Sequence, residues 1–185
     1  MHLPTEVFDD FATMLSYPAE GQDRALQRCL HFLTSHTGET HCGAALAHLQ
    51  SYAEAVQPMS IEEREELYTR SFDINPAAAL ELGWHLYGEQ YERGAFLVTM
   101  REQLRRHGIP EEGELPDHIT SVLRLLGRLD THGRSAMYEQ SVHRGLTVLR
   151  ERWKDGENPY THCLDALVAL LMLLSPTHAG VNHHD

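Results

Sequence analysis

The sequence predicts an all-α protein, a helical bundle, and three observations carry that expectation. Apolar side chains recur three and four residues apart through most of the chain, the spacing that aligns one face of a helix. The breaks in that pattern fall at prolines and glycines, and no stretch alternates apolar and polar residues as a half-buried strand requires. With 185 residues and 42% hydrophobic content, the chain can bury one substantial core. A single helical domain over residues 1–175 is expected, followed by a mobile tail over 176–185.

The elements follow in order. Val7, Phe8, Phe11, Met14 and Leu15 give a first helix stopped by Pro18. Leu26, Cys29, Leu30 and Leu33 give a second that ends before Gly38, and Cys42, Leu46, Leu49, Ala53 and Val56 a third closed by Pro58. Ser60 and Glu63 have the form of a capping box, in which hydroxyl and carboxylate each satisfy a free backbone N–H, so a fourth helix starts there. It ends on Tyr68 and Phe72, which lie four apart on one face. After the Asn75-Pro76 break a short helix is expected over 77–87, ended by Gly88; were it to reach Glu89, His85 and Glu89 would share a face. Gly94 opens or interrupts a further helix with Leu97, Met100 and Leu104 in a row.

Residues 108–118 combine two prolines, two glycines and four carboxylates and read as a loop, with Pro116 and Asp117 placed to start the next helix. Ile119, Val122, Leu123, Leu126 and Leu129 form that helix, and Tyr138, Val142, Leu146, Leu149 and Trp153 another after Gly133. A final helix over 160–174 is apolar on nearly every side and is expected in the middle of the bundle.

Composition excludes several function classes. A formal charge of −12, from 27 acidic and 15 basic residues, disfavours a nucleic-acid partner and suits a basic peptide. Cys29, Cys42 and Cys163 form no C-x-x-C pair, suggest neither a disulfide framework nor a thiolate zinc site, and fit a reducing cytoplasm. The N-terminus has no signal-peptide pattern, and the apolar run over 164–174 is too short to cross a bilayer, so a cytoplasmic location without stable membrane insertion is expected. Of fourteen histidines, His178, His183 and His184 lie near Asp185, but at no closed zinc spacing, so neither a metal nor a cofactor is expected. Phosphate-binding, dinucleotide-binding and nucleophile-elbow motifs are missing, and adjacent helical residues such as Asp117 and His118 point about 100° apart. The chain reads as no enzyme.

Three segments of the central third mix aromatic, small, charged and imidazole side chains and read as a binding surface. They are LYTRSFD at 67–73, HLYGE at 85–89 with ERG at 92–94, and ELPDH at 114–118. In this order and spacing they resemble the NarJ-type maturation chaperones of respiratory nitrate reductase, related more distantly to the TorD and DmsD chaperones, most clearly over 65–130. The resemblance implies an all-helical, non-catalytic chaperone. Such a protein binds the N-terminal region of the catalytic subunit of nitrate reductase or a related molybdenum oxidoreductase, and keeps the apo-subunit competent for molybdopterin cofactor insertion.

A groove built from the fourth to seventh helices and the 108–118 loop is implied, with a helix-in-groove mode of recognition. Tyr68, Phe72, Trp84, Leu86 and Tyr87 are its candidate apolar walls, and His85, Leu115, Pro116 and His118 belong to the same surface. By residue type alone Tyr68 and Phe72 read as core; the resemblance moves Tyr68 towards the groove. Glu89, Glu114 and Asp117 are candidate partners for arginine or lysine of the peptide, while Arg93 either joins them or holds the groove together through an internal carboxylate. On this reading Asp117→Ala with His118→Ala weakens peptide binding without unfolding the domain. Two alternatives come from other classes: a histidine-based metal-binding or delivery protein, and a structural subunit retained in the enzyme complex. The 108–118 loop is also a candidate hinge for domain exchange between two otherwise monomeric copies.

Overall fold

The chain folds into helices α1 (Thr5–Met14), α2 (Gln22–Ser35), α3 (Thr40–Val56), α4 (Ile61–Tyr68) and α5 (Leu82–Tyr87), then α6 (Tyr91–Arg106), α7 (Ile119–Arg128), α8 (Thr131–Met137), α9 (His143–Arg152) and α10 (Pro159–Leu171). The computed structural model describes residues 2–111, 113–153 and 156–175; the expected tail at 176–185, with its histidines, lies outside them. Among the described residues the sole strand-like pairing is an isolated antiparallel bridge between Glu81 and His118. The fold is all-α, as the periodicity predicts.

Burial follows the apolar stripes, and the buried side chains make one contiguous cluster. α1 lies along α7 and α2, and α3 lies along α10. The sequence pattern put the last helix at the centre, but α10 has α3 as its main partner and keeps Val168 and Ala169 half-buried. The helix enclosed along nearly its whole length is α7, where only Arg124 and Arg128 escape burial, because α1, α6 and α8 cover it from different sides.

Ser60 opens α4 as a capping box: its Oγ accepts from the Glu63 N–H at 3.3 Å, and Glu63 Oε2 accepts from the Ser60 N–H at 2.7 Å. The helix then widens into one π-helical turn, Thr69–Asp73. That turn aims Tyr68 and Phe72 inward, where Phe72 meets Tyr160 at 4.7 Å and Trp153 at 5.3 Å between ring centroids. Ser71 points inward too. It accepts at 2.8 Å from Asn158 Nδ2, while Asn158 Oδ1 caps α10 by accepting from the Tyr160 N–H at 3.0 Å. The 67–73 segment thus joins the end of α4 to the start of α10.

Four expectations need correction. The stretch 77–87 is not one helix: Pro76–Ala78 form a 3-10 turn, Ala79 and Leu80 are non-helical, Glu81 is extended, and α5 begins at Leu82. Backbone pairing with the ELPDH segment wins over local helix propensity here, since the Leu82 N–H donates to Asp117 O at 2.9 Å and the Ile119 N–H to Leu80 O at 2.8 Å. Pro116 and Asp117 do not start α7. His118 is its N-cap, with Nδ1 accepting from the Thr120 N–H. Gly94 lies inside α6 rather than at its edge, and the helical run before Trp153 starts earlier, at Thr131, where Asp130 Oδ1 accepts from the Gly133 N–H at 2.7 Å. That run passes through a second π-helical turn, Tyr138–Val142, into α9.

Arg134, which the sequence did not single out, is almost fully buried, with no carboxylate partner among the described residues. Its guanidinium donates to the carbonyls of Leu3 (2.5 Å), Gly127 (2.8 Å) and Leu129 (2.9 Å) and lies over the Phe8 ring. It ties the C-terminal end of α7 to the segment that leads into α1.

Candidate peptide-binding site

The paired segments 80–82 and 117–119 bring the second and third motifs together around Asp117. Its side chain is fully buried, and Oδ2 accepts from Arg93 Nε of α6 at 3.2 Å. The Arg93 guanidinium also lies 5.7 Å from the centre of the Trp84 ring. Gly83 makes this approach possible: a Cβ at that position would collide with Asp117 Oδ2 and stand 3.0 Å from Phe96 Cδ1. Among the described residues Asp117 Oδ1 has no hydrogen-bond partner, so the Arg93 guanidinium is the main compensation for a carboxylate taken out of water. Gly88, at φ 58°, ends α5 and turns the chain into α6.

This corner sets one wall of an apolar groove of about 680 Å³. Tyr91, Ala95, Phe96 and Met100 of α6 form that wall, Leu125 and Leu129 at the end of α7 form the floor, and Gly133, Ala136 and Met137 of α8 stand opposite. Gln140 and Ser141 of the second π-helical turn complete the far side. Phe96 links groove and corner, since it packs against Tyr87 (ring centroids 5.6 Å) and borders Gly83. Apart from Leu129, the C-cap of α7, every lining residue described belongs to a helix or the π turn between α8 and α9, so the groove offers side chains and no strand edge; it suits an apolar helix face better than an extended peptide.

The residues singled out from sequence fall in three places. Trp84, Arg93 and Asp117 form the corner, and Tyr87 reaches the groove itself. Tyr68 and Phe72 are 3% and 6% exposed, inside the aromatic cluster; His85 and Leu86 are also buried. His85 does not pair with Glu89, because α5 stops at Tyr87. Its Nε2 lies 2.6 Å from the Ala79 carbonyl, which makes Nε2 the protonated nitrogen, and Nδ1 faces Arg152 at 3.4 Å. Burial, offset in part by that carbonyl, lowers its pKa, and the Arg152 and Arg93 charges add to the effect.

On the opposite side of the 115–119 segment, Glu114 and His118 line a small polar cleft with Tyr17. Burial, with the charges of Glu81 and Asp73, raises the Glu114 carboxyl. Pro116 is buried, Leu115 is 43% exposed, and Glu89 is exposed at the corner between α5 and α6. Burial, helped by the Arg124 charge, pushes the His118 imidazole down to about 4, so it is neutral near pH 7. The groove residues Tyr91, Met137 and Gln140 escaped the sequence reading, and Glu92 entered it only within the ERG segment; the one further signal was Tyr91, an aromatic off the Leu97–Met100–Leu104 row and 90% exposed in the structure. Among the described residues no group of three or more histidine, cysteine or acidic side chains could hold a metal ion, and no helix is long and apolar enough to cross a membrane.

Residues 35–164 match the family model described as nitrate reductase delta subunit. The chain belongs to that family. A relative from Bacillus subtilis (strain 168), named as a probable nitrate reductase molybdenum cofactor assembly chaperone NarJ, is 24% identical over 165 residues, covering 89% of this chain and 87% of the relative. The nitrate reductase molybdenum cofactor assembly chaperone NarJ of Escherichia coli (strain K12) is 30% identical over 104 residues, covering 56% of this chain and 44% of the relative. The counterpart from Escherichia coli O157:H7 gives the same figures. The NarJ-type resemblance drawn from the three motifs therefore holds, and the named relatives are chaperones, not catalysts.

One prediction follows from the corner and one from His118. Asp117→Ala should lower unfolding stability in urea by roughly 2–4 kcal/mol, because Arg93 loses its partner while keeping some access to water. Arg93→Ala added to it should cost little more, and full additivity of the two would show that they do not act as a pair. For His118 the folded pKa lies below the unfolded value, so the neutral imidazole contributes stability that is present above about pH 6.5 and lost as pH falls towards 4, by up to roughly 3 kcal/mol. His118→Asn keeps an N-cap acceptor and removes the titrating ring, so its Tm should fall less than that of the wild type between pH 7 and pH 4.5; parallel Tm profiles would rule out His118 as the source.

Proposed function

We propose that this chain is an assembly chaperone for a nitrate reductase or a related molybdenum oxidoreductase. It binds the N-terminal region of the catalytic subunit and keeps the apo-subunit competent for molybdopterin cofactor insertion. The observation that carries the reading is the apolar groove between α6 and α8 in a chain of the nitrate reductase delta subunit family. The groove is open, lined by aromatic, aliphatic and small side chains, and walled by helices, which is how an amphipathic helix is received. In this reading Tyr87 is the sequence-selected residue that touches the peptide, while Trp84, Arg93 and Asp117 hold the α6 wall in place. Tyr68, Phe72, His85, Leu86 and Pro116 support the same framework from within, and Glu89, Glu114, Leu115 and His118 lie at its margins.

Release follows from the client. An unfinished subunit offers its N-terminal segment; a folded, cofactor-loaded subunit uses that segment in its own structure and binds the chaperone less well, and this difference in affinity drives dissociation. The chaperone needs no catalytic group for such a cycle. A cytoplasmic site of action, where apo-subunits are completed, belongs to the same proposal.

Calorimetric titration with N-terminal peptides of the molybdenum-enzyme catalytic subunits encoded in the same genome tests it. One peptide should bind saturably to the wild type and lose at least about tenfold in affinity to Ala136→Trp, whose indole would fill the groove. Binding unchanged by Ala136→Trp would remove the groove from the account.

A further inference from the structure

The groove carries its charge at one end. It follows α6 from Tyr91 and Glu92 in the first turn to Gln103 near the last, a distance of about 18 Å, or a little over three helical turns. Among the described residues Glu92 is the one charged side chain in the lining; it is exposed, and no cationic side chain pairs with it. The rest of the lining is neutral: aromatic and aliphatic groups, with Thr99, Gln103, Gln140 and Ser141 supplying weak polarity.

A carboxylate in the first turn of a helix favours the positive end of the helix dipole, and that alone would explain a glutamate here. It does not explain why this carboxylate is turned to the mouth of an apolar groove, with Glu89 exposed on the same corner between α5 and α6. Both lie on a chain of formal charge −12, which draws a cationic segment in and repels an acidic one. The lining adds a shape constraint, since Ala95 on α6 and Gly133 and Ala136 on α8 are small, leaving room for bulky apolar side chains of an occupant.

We infer that Glu92 sets the direction in which the groove receives its occupant. The occupant is a segment of the client's N-terminal region with an apolar face about three helical turns long. It lies with a lysine or arginine at the Tyr91–Glu92 end and its uncharged end beside Gln103. The inference rests on the groove reading of the preceding subsection and adds to it a residue that selects polarity and charge. Glu92 acts by direct contact, whereas Arg93, its neighbour in sequence, acts by holding α6.

The test uses the full chain and two peptides: the N-terminal catalytic-subunit peptide that binds the wild type, and the same peptide with every lysine and arginine replaced by glutamine. The wild type should bind the neutralised peptide about three- to fivefold more weakly, as expected for one ion pair at a groove rim. Glu92→Gln should bind the two peptides alike, and Glu92→Lys should prefer the neutralised one. Such a crossover is a readout that a merely structural role for Glu92 would not give. If the Glu92 variants keep the wild-type ratio while Ala136→Trp abolishes binding, the directional role is wrong and the groove stands. If Ala136→Trp binds both peptides as the wild type does, or the wild type binds no such peptide, the groove reading falls and this inference with it.

Discussion

One buried carboxylate, Asp117, held by one guanidinium, Arg93, fixes the corner on which the rest of this molecule is arranged. Removing Asp117 from water is tolerable only because Arg93 reaches it, and Arg93 reaches it only because residue 83 is glycine. The backbone pairing of 80–82 with 117–119 delivers the carboxylate to that point, and Gly88 turns the chain so that α6 starts beside it. From there Phe96 and Met100, one and two turns beyond Arg93, extend the same helix face into the groove. The placement of the α6 wall is therefore inherited from an ion pair that no ligand needs to touch.

This division of labour gives the three motifs a physical meaning. The first supplies an aromatic cluster and the Ser71–Asn158 link that join α4 to α10; the second and third supply the corner. Most of their side chains are occupied within the fold, and the surface they create is lined largely by other residues on α6, α7 and α8. The proposed chaperone function uses the motifs as scaffold and the groove as interface. It also suits a chain whose relatives are only 24% and 30% identical, because an apolar groove tolerates exchange among side chains of similar size where an ion pair does not.

The parts of this architecture that depend on local rules were legible in the sequence. Helical periodicity placed α1 to α3, and the capping box at Ser60 located the start of α4. The reading of Arg93 as a residue that holds an internal carboxylate was also available, although its partner was not. What escaped depends on contacts between distant residues. The 77–87 stretch has helical propensity but is broken by pairing with 117–119; Tyr68 and Phe72, placed on a groove wall by family resemblance, lie among Trp153 and Tyr160 from the other end of the chain. Periodicity tells which face of α6 or α8 is apolar, yet the groove exists only because α7 holds those helices apart, and that separation has no signature in either helix alone.

The central claim is that the client segment occupies the groove between α6 and α8, and amide hydrogen exchange in the presence and absence of the binding peptide tests it most directly. The account predicts slower exchange on binding over residues 91–103 and 133–141, with 61–73 unchanged, because bound peptide would bury the groove-facing turns and leave the aromatic cluster as it was. Protection confined to 61–73 or to the cleft around Glu114, with α6 and α8 unaffected, would contradict it.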